Sequence, residues 1–505
     1  MGLPPWAGSS SQWFVLITGS NSGLGYSICE RTIDEFLSSP SHAPTLHLVL
    51  IVSTRSAQKT RLTVARLRRH LRHLAERLST AQALRMKASP QGTTYRWQDF
   101  VARVHFLGVE LDLCDLRQVY DAAARIRGEN GGLSGPEALA TEGMGLKNIH
   151  IPRLDVLVLN AGIGGWTGIR WGPAIWSVLT DLKETVTWWN YNVSAVGKLA
   201  KLQARSQRSG QHPQKLINAD ETEADGGDEP PLGEVFAANV FGHYILAHEL
   251  MPLLRDSVDD ERRQGDKGRV IWMSSIEALG HDLDPDDIQG IRSPEPYRAS
   301  KRLTDILALT VDLPGVRRAS ASWFTGHGPS EVQADEGKPR VYLAHPGITN
   351  TEIFPLALIL LWAKLAAMYV ARWIGSVWHP IDSYKAAVAP TWLVLADQRT
   401  LDGLEGVGAA AADGNGAPAD KGKGKWGSST NFWGEERVRR TEVPGWGWCG
   451  EVDVQGGGGQ MTRGGRKRGA TDLTPEERVE FEVTGRRVWE EMEALRRRWE
   501  GILKI

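Results

Sequence analysis

The sequence predicts an α/β fold, a doubly wound parallel sheet with helices on both faces. Three observations predict it. Six short runs, "WFVLIT" (13–18), "LHLVLIVS" (46–53), "RVHFLGV" (103–109), "LDVLVLN" (154–160), "GRVIWMSS" (268–275) and "RVYLAH" (340–345), are mostly apolar throughout. Strands buried on both faces look like this, whereas half-exposed strands alternate. Helical patterns separate the runs, as crossover connections between parallel strands require. The first run also leads straight into a glycine-rich turn and a helix.

With 505 residues the chain can hold one large domain or two or three ordinary ones. A net charge of −1 gives no reason to expect nucleic acid. The cysteines, Cys29, Cys114 and Cys449, are too scattered for a disulfide framework or a metal-ligand spacing, which points to a reducing compartment and no metal. The opening "MGLPPWAGSSSQ" lacks the basic and apolar regions of a secretion signal.

Residues 1–400 read as one domain with two special segments. A polar, finally acidic insertion covers 180–231, and an apolar segment covers 352–380. Residues 401–470 are rich in Gly and Lys and read as a largely disordered extension, within which composition leaves "NFWGEERVRRTEVPGWGW" (431–448) open between order and disorder. Residues 471–505 read as an amphipathic helix: Thr474, Pro475 and Glu477 form a capping box, and Trp489, Met492, Leu495 and Trp499 recur on one face as a docking stripe.

The turn after the first strand is "TGSNSGLG" (18–25). Gly19, Gly23 and Gly25 permit a tight turn and close backbone approach, and the following helix offers free N–H groups to a pyrophosphate. This is a Rossmann-type dinucleotide loop, with Ser20, Asn21 and Leu24 as its other contacts. NAD-binding folds place an acid at the end of the second strand to hold the ribose 2′-hydroxyl. No Asp or Glu occurs between Phe36 and Ala75; Arg55 stands there instead, followed by Lys59. A guanidinium suits a 2′-phosphate, so the expected cofactor is NADP(H). In "PEPYRASKRLTD" (294–305), Tyr297 and Lys301 are one helical turn apart and share a face. A cation there favours the ionised phenol, so Tyr297 reads as a proton donor with a lowered pKa.

In this order along the chain, the motifs resemble the short-chain dehydrogenase/reductase family over residues 13–395. "LDLCD" (111–115) resembles the element whose Asp112 and Leu113 flank the adenine. "LNAG" (159–162) resembles the family's NNAG and supplies Asn160, Ala161 and Gly162. "NVFGHY" (239–244) supplies a structural and catalytic Asn239, and "WMSS" supplies Ser275 or Ser274. "HPGITNT" (345–351) resembles the stretch that holds the nicotinamide carboxamide, with Pro346, Gly347, Thr349 and Thr351. The spacings Asn160–Asn239 and Ser275–Tyr297 are both longer than the family's.

Within the family, "GSNSGLGYSICERTIDEFL" (19–37), "VLNAGIGGWTGI" (158–169), "DDIQGIRSPEPYRASKRLTDILALT" (286–310) and "FWGEERVRRTEVPGW" (432–446) resemble the fungal 3-keto sterol reductases of sterol C-4 demethylation. The resemblance implies NADPH-dependent reduction of a sterol ketone. Tyr297 would be the acid, Ser275 the second donor to the ketone oxygen, and Lys301 a partner of Tyr297 and the ribose. Asn239 would hold Lys301 through a water. It also implies the cytosolic face of the endoplasmic reticulum or lipid droplet, other sterol-synthesis enzymes as partners, and allows a homodimer. Reduction of another lipid ketone and a non-catalytic NADPH-binding scaffold stay open.

The stretch "EIFPLALILLWAKLAAMYVARWIGSVWHP" (352–380) occupies the lid position over a substrate pocket. Lys364 and Arg372 interrupt it, at a cost of about 2.5–3.5 kcal/mol for a charge centred in a bilayer. Trp362, Trp373 and Trp378 suit a membrane–water boundary, so an interfacial helix pair is expected. A buried lid and a true span are the alternatives.

Overall fold

The computed structural model describes residues 4–7, 9, 11–39, 42, 45–86, 96–135, 147–203, 229–255, 267–326, 337–350, 358–406, 422–452 and 465–505, with 81–86, 358 and 359 as backbone alone. The expected strands form where the apolar runs lie: β1 (Gln12–Ile17), β2 (His47–Thr54), β3 (Val104–Glu110) and β4 (Val156–Leu159). A small hairpin of β5 (Trp166–Ile169) and β6 (Asn192–Ser194) follows, then β7 (Arg269–Met273) and β8 (Arg340–His345). Two more strands, β9 (Lys425–Thr430) and β10 (Glu436–Thr441), complete the set.

The main sheet has eight strands in the order β10-β9-β8-β7-β4-β1-β2-β3. All neighbours pair parallel except β9 and β10, which form an antiparallel edge. β4 and β7 are buried along their whole length, which explains why their sequences are continuously apolar. One face is covered by the helices Gly23–Ser38, Ala57–Met86 and Val388–Leu395, and the other by Leu116–Arg127, Gly242–Glu249, Pro296–Thr310 and Arg317–Thr325.

The structure corrects the reading of 401–470. Residues 407–421 and 453–464 lie outside the described residues, but 422–452 is part of the domain and carries β9 and β10. "KWGSST" looks like linker because it has one large apolar residue. Its polar side chains are nevertheless buried and bonded. The Ser428 hydroxyl donates to Ala386 O at 2.5 Å, and Thr430 Oγ1 donates to His379 O at 3.0 Å. Backbone pairing with β8 and β10 supplies the rest, which apolar patterning does not register.

The 180–231 insertion also differs from a polar excursion in its described part. Helix Leu182–Thr187 packs against helix Leu358–Trp373, and β6 closes the hairpin with β5; residues 204–228 lie outside the described residues. Among the described residues of the apolar segment there is one helix, Leu358–Trp373. Among the described residues no helix is long and apolar enough to cross a membrane. Trp378 is not at a boundary: it is buried beside His345 at 5.1 Å and donates from Nε1 to Gly465 O at 2.6 Å. Gly427 makes its room, since a Cβ there would lie 2.6 Å from the indole.

Helix Pro475–Leu503 docks as its stripe predicts. The Thr474 hydroxyl accepts from Glu477 N–H at 3.2 Å, and Thr474 N–H donates to the Glu477 carboxylate at 3.0 Å. Trp489, Met492 and Trp499 are buried, and Trp489 meets Tyr244 and Trp323 at ring distances of 5.6 and 5.3 Å. Deeper in this contact Glu493 accepts from Tyr244 (2.6 Å) and pairs with Arg496 (2.9 Å). Trp489→Ala is expected to cost about 3–5 kcal/mol of stability, measured by urea unfolding.

Candidate active site

Parallel strands end together, so β1, β4, β7 and β8 deliver their following loops to one edge of the sheet. Thr18, directly after β1, ties two of these loops. Its hydroxyl accepts from Asn160 N–H (2.8 Å) and Ala161 N–H (3.0 Å) and lies 2.9 Å from His243 Nε2. Asn160 Nδ2 returns a bond to Thr18 O at 3.0 Å. Burial pushes the His243 imidazole down to about 3, so it stays neutral. Thr18 and His243 were not singled out from the sequence, although both stand inside quoted motifs.

The glycine turn is shaped as expected. Gly19 and Gly23 have φ of 69° and 52°. A Cβ on Gly25 would come within 2.3 Å of Gly19 O and 2.6 Å of Asn160 Nδ2. The first helical turn has no side-chain cap from Ser22, which leaves its N–H groups for a ligand. Arg55 lies exposed just past the end of β2 and Lys59 four residues further on, while Asp112 bonds Cys114 N–H at 3.1 Å beside buried Leu113. Thus the residues present fit a nicotinamide dinucleotide. On the far side, 345–350 is pinned by 378–381: Ile348 N–H donates to Trp378 O (2.7 Å) and Asn350 N–H to Ile381 O (2.8 Å). Pro346, Gly347 and Thr349 therefore sit at the β8 end, and Thr351 lies outside the described residues.

Asn239 lies in a π-helical turn, Ala237–Phe241, where a widened backbone turn re-aims a side chain. Its amide is occupied at both ends: Oδ1 accepts from Ile163 N–H (2.8 Å), and Nδ2 donates to Ile163 O (3.0 Å) and Ser300 Oγ (3.1 Å). It braces the loop after β4 against helix Pro296–Thr310.

Tyr297, Lys301 and Ser275 come together as expected. The Ser275 side chain lies close enough to the Tyr297 phenol to favour its ionised form, and Ser275 Oγ accepts from Glu277 N–H at 3.1 Å. Ser274 is spoken for: its hydroxyl donates to the Asp305 carboxylate at 2.5 Å. The serine beside the tyrosine is Ser275. Trp166 of β5 meets the Tyr297 ring edge-on at 5.0 Å, so the hairpin forms one wall.

The expected lowering of the Tyr297 pKa is not found. Burial, and then the Glu277 carboxylate, push the phenol above its ordinary value, and the nearby Ser275 side chain only opposes them. The Lys301 ammonium is 5.7 Å from the ring centroid and donates to Met273 O at 2.9 Å. Burial pulls Lys301 down to about 8, with Asp305 raising it and Lys425 lowering it. Glu277 is raised to about 7 by burial, with Arg298 opposing.

A backbone turn this tight beside an uncapped helix start is shaped to hold a dinucleotide. A protonated phenol with a second hydroxyl beside it is suited to share one carbonyl oxygen. The class so defined is that of the nicotinamide-dependent oxidoreductases. No protein-family model matches the chain. It is 44% identical over 512 residues to the 3-keto-steroid reductase ERG27 of Gibberella zeae, covering 99% of this chain and 97% of that one. It is 41% identical to the 3-keto-steroid reductase erg27 of Aspergillus fumigatus, with 97% and 94% covered. A solved short chain dehydrogenase from Salmonella enterica aligns with 77% of this chain and 92% of its own, at 16% identity and a TM-score of 0.33. The chain belongs to the family of these 3-keto-steroid reductases.

The two serines separate by experiment. Ser275→Ala is expected to lower kcat by about 10²-fold or more through loss of a donor to the reacting oxygen. Ser274→Ala is expected to cost about 1–3 kcal/mol in unfolding free energy by freeing a buried carboxylate oxygen, with the smaller effect on kcat.

Proposed function

We propose that the chain reduces a 3-keto sterol to the 3β-hydroxy sterol, with NADPH as reductant, in the C-4 demethylation stage of sterol synthesis. The observation that carries this reading is near-full-length identity to two proteins named 3-keto-steroid reductase, with Tyr297, Ser275 and Lys301 assembled in one site. The cofactor, when bound, supplies the hydride. Tyr297 gives its proton to the ketone oxygen, and burial keeps the phenol protonated until it does. Ser275 donates a second hydrogen bond to that oxygen as negative charge develops on it. Lys301, held at Met273 O, keeps a positive charge near Tyr297 and would bind the ribose hydroxyls of the cofactor. Asn239 keeps the loop after β4 in place. NADP(H) over NAD(H) is supported by exposed Arg55 and by the absence of any acid from Phe36 to Ala75.

Purified protein is expected to oxidise NADPH, followed at the nicotinamide absorbance band, with 3-keto sterols and not with acyl or retinoid carbonyls. Tyr297→Phe is expected to lower kcat by about 10²–10⁴-fold, and Arg55→Ala to shift preference toward NADH. Turnover confined to another lipid ketone would replace the substrate assignment, and cofactor binding without turnover would favour the scaffold role.

The same reading places the protein on the cytosolic face of the endoplasmic reticulum or lipid droplet. Helix Leu358–Trp373 supports it by inverting the usual amphipathic order. Half-buried Lys364 is within electrostatic reach of Glu277, while Trp362 and Trp373 are exposed. Helix Trp171–Thr180 has no charged residue and exposes Trp176 (71%) and Leu179 (76%). Helix Leu182–Thr187 joins the two, packing against both. The hairpin tip beside Arg372 adds Trp433, 80% exposed. Tryptophans and aliphatics clustered on the outside suit the boundary of a lipid layer. In flotation with phosphatidylcholine–ergosterol vesicles the protein is expected to rise with the lipid, and the double variant Trp176→Glu/Trp362→Glu to stay behind. A parent protein that stays in the dense fraction would refute the docking.

A further inference from the structure

Lys425 opens β9, in the part of the chain that composition assigns to a loose tail, yet it ends beneath the catalytic cluster. Its ammonium donates to Ser275 O and to the Asp305 carboxylate, each at 2.7 Å. The two side chains are 2% and 0% exposed. Asp305 stands one turn after Lys301 on the same helix, and its other oxygen takes the Ser274 hydroxyl at 2.5 Å. Ser274 Oγ also lies 3.3 Å from Lys301 O. One buried ion pair therefore touches the loop that carries Ser275 and the helix that carries Tyr297 and Lys301.

We propose that Lys425 is a positioning residue of the active site: arriving on β9, its ammonium holds the Ser275 carbonyl and the Asp305 carboxylate, and so fixes Ser275 against Tyr297 and Lys301. This rests on the reductase reading of the site. A buried lysine with two acceptors in line is a rigid strut, because leaving either charge unpaired in the interior is strongly unfavourable. Small misplacements of reacting groups are costly in rate, so a strut under the serine bears on turnover rather than on cofactor binding.

The pair also sets the electrostatics around Lys301. The charged and titratable groups facing that ammonium are Tyr297 and Asp305 on its own helix, Lys425 from β9 and His243 from helix Gly242–Glu249. His243 is neutral, and buried His345 of β8, which faces Lys425, is held neutral as well. Asp305 raises the Lys301 pKa and Lys425 lowers it. Lys301 is charged below its pKa of about 8 and loses its charge as pH rises through that value. Removing the anion should therefore move this loss to lower pH, and removing the cation to higher pH.

The test uses the full, ligand-free chain with isotopically labelled lysine, the Lys301 signal being identified by its loss in Lys301→Arg. The Lys301 midpoint is expected to fall in Asp305→Asn and to rise in Lys425→Met. Because either single variant leaves a buried charge unpaired, Lys425→Met/Asp305→Asn serves as the folded control, checked by thermal unfolding. In that double variant kcat is expected to fall at least about tenfold with KM for NADPH little changed, since Ser275 O has lost its donor. Lys425→Arg is expected to recover part of the rate. Midpoints that stay put or move the same way in both single variants would overturn the proposal, as would a folded double variant with parental kcat. A parent chain inactive on every sterol ketone would instead refute the functional reading, because the Lys301 titration needs no substrate.

Discussion

The in-register parallel pairing of β1, β4, β7 and β8 is the constraint on which the rest depends. Val158 pairs with Ile17 on one side and Ile271 on the other, and Ile271 pairs in turn with Tyr342. A fixed register makes all four strands stop at one level, so the loops that follow meet without further guidance. Thr18, Asn160, Ser275 and Gly347 are neighbours for that reason, although more than three hundred residues separate the first from the last. A slip of one residue in β7 would turn Ser275 to the opposite face and leave Tyr297 without its partner.

Around that row the protein spends most of its polar bonds on bracing. Asn239, Thr18, Ser274 and Asp305 all bond backbone or one another and none is left to greet a substrate. This division of labour suits a site whose chemistry needs few groups placed accurately: one phenol, one hydroxyl and one ammonium. Burial, which makes the bracing rigid, also keeps the phenol above its ordinary pKa, so the proton stays put in the resting protein.

Much of this was legible in the sequence, because apolar runs and glycine turns report directly on backbone shape. The six buried strands, the turn at Gly19–Gly25, the helix that pairs Tyr297 with Lys301 and the capped helix at Pro475 follow from local pattern. What escaped reading is non-local. β9 hides its burial behind serines and a lysine, and Ser428 and Lys425 are satisfied by partners far away in the chain, Ala386 O for the one and Ser275 O with Asp305 for the other. Thr18 and His243 look like spacers until the fold sets them 2.9 Å apart. Spacing alone suggested that Lys301 would tune Tyr297, but it cannot show that the ammonium is drawn instead to Met273 O. Ser274 and Ser275 are indistinguishable as letters, and only Asp305 tells them apart.

The late position of β9 has a consequence for how the protein comes into being. Parallel strands cannot be completed by a neighbouring hairpin, and this one closes the sheet only after more than four hundred residues have been translated. A nascent chain released or cleaved before that point carries the tyrosine, the lysine and the glycine turn, yet holds a buried aspartate with no counter-charge and an open sheet edge. Such a fragment is expected to be a poor enzyme and a target for chaperones and proteases. Catalytic competence is thereby deferred until β9 has been made and has brought Lys425 to Asp305.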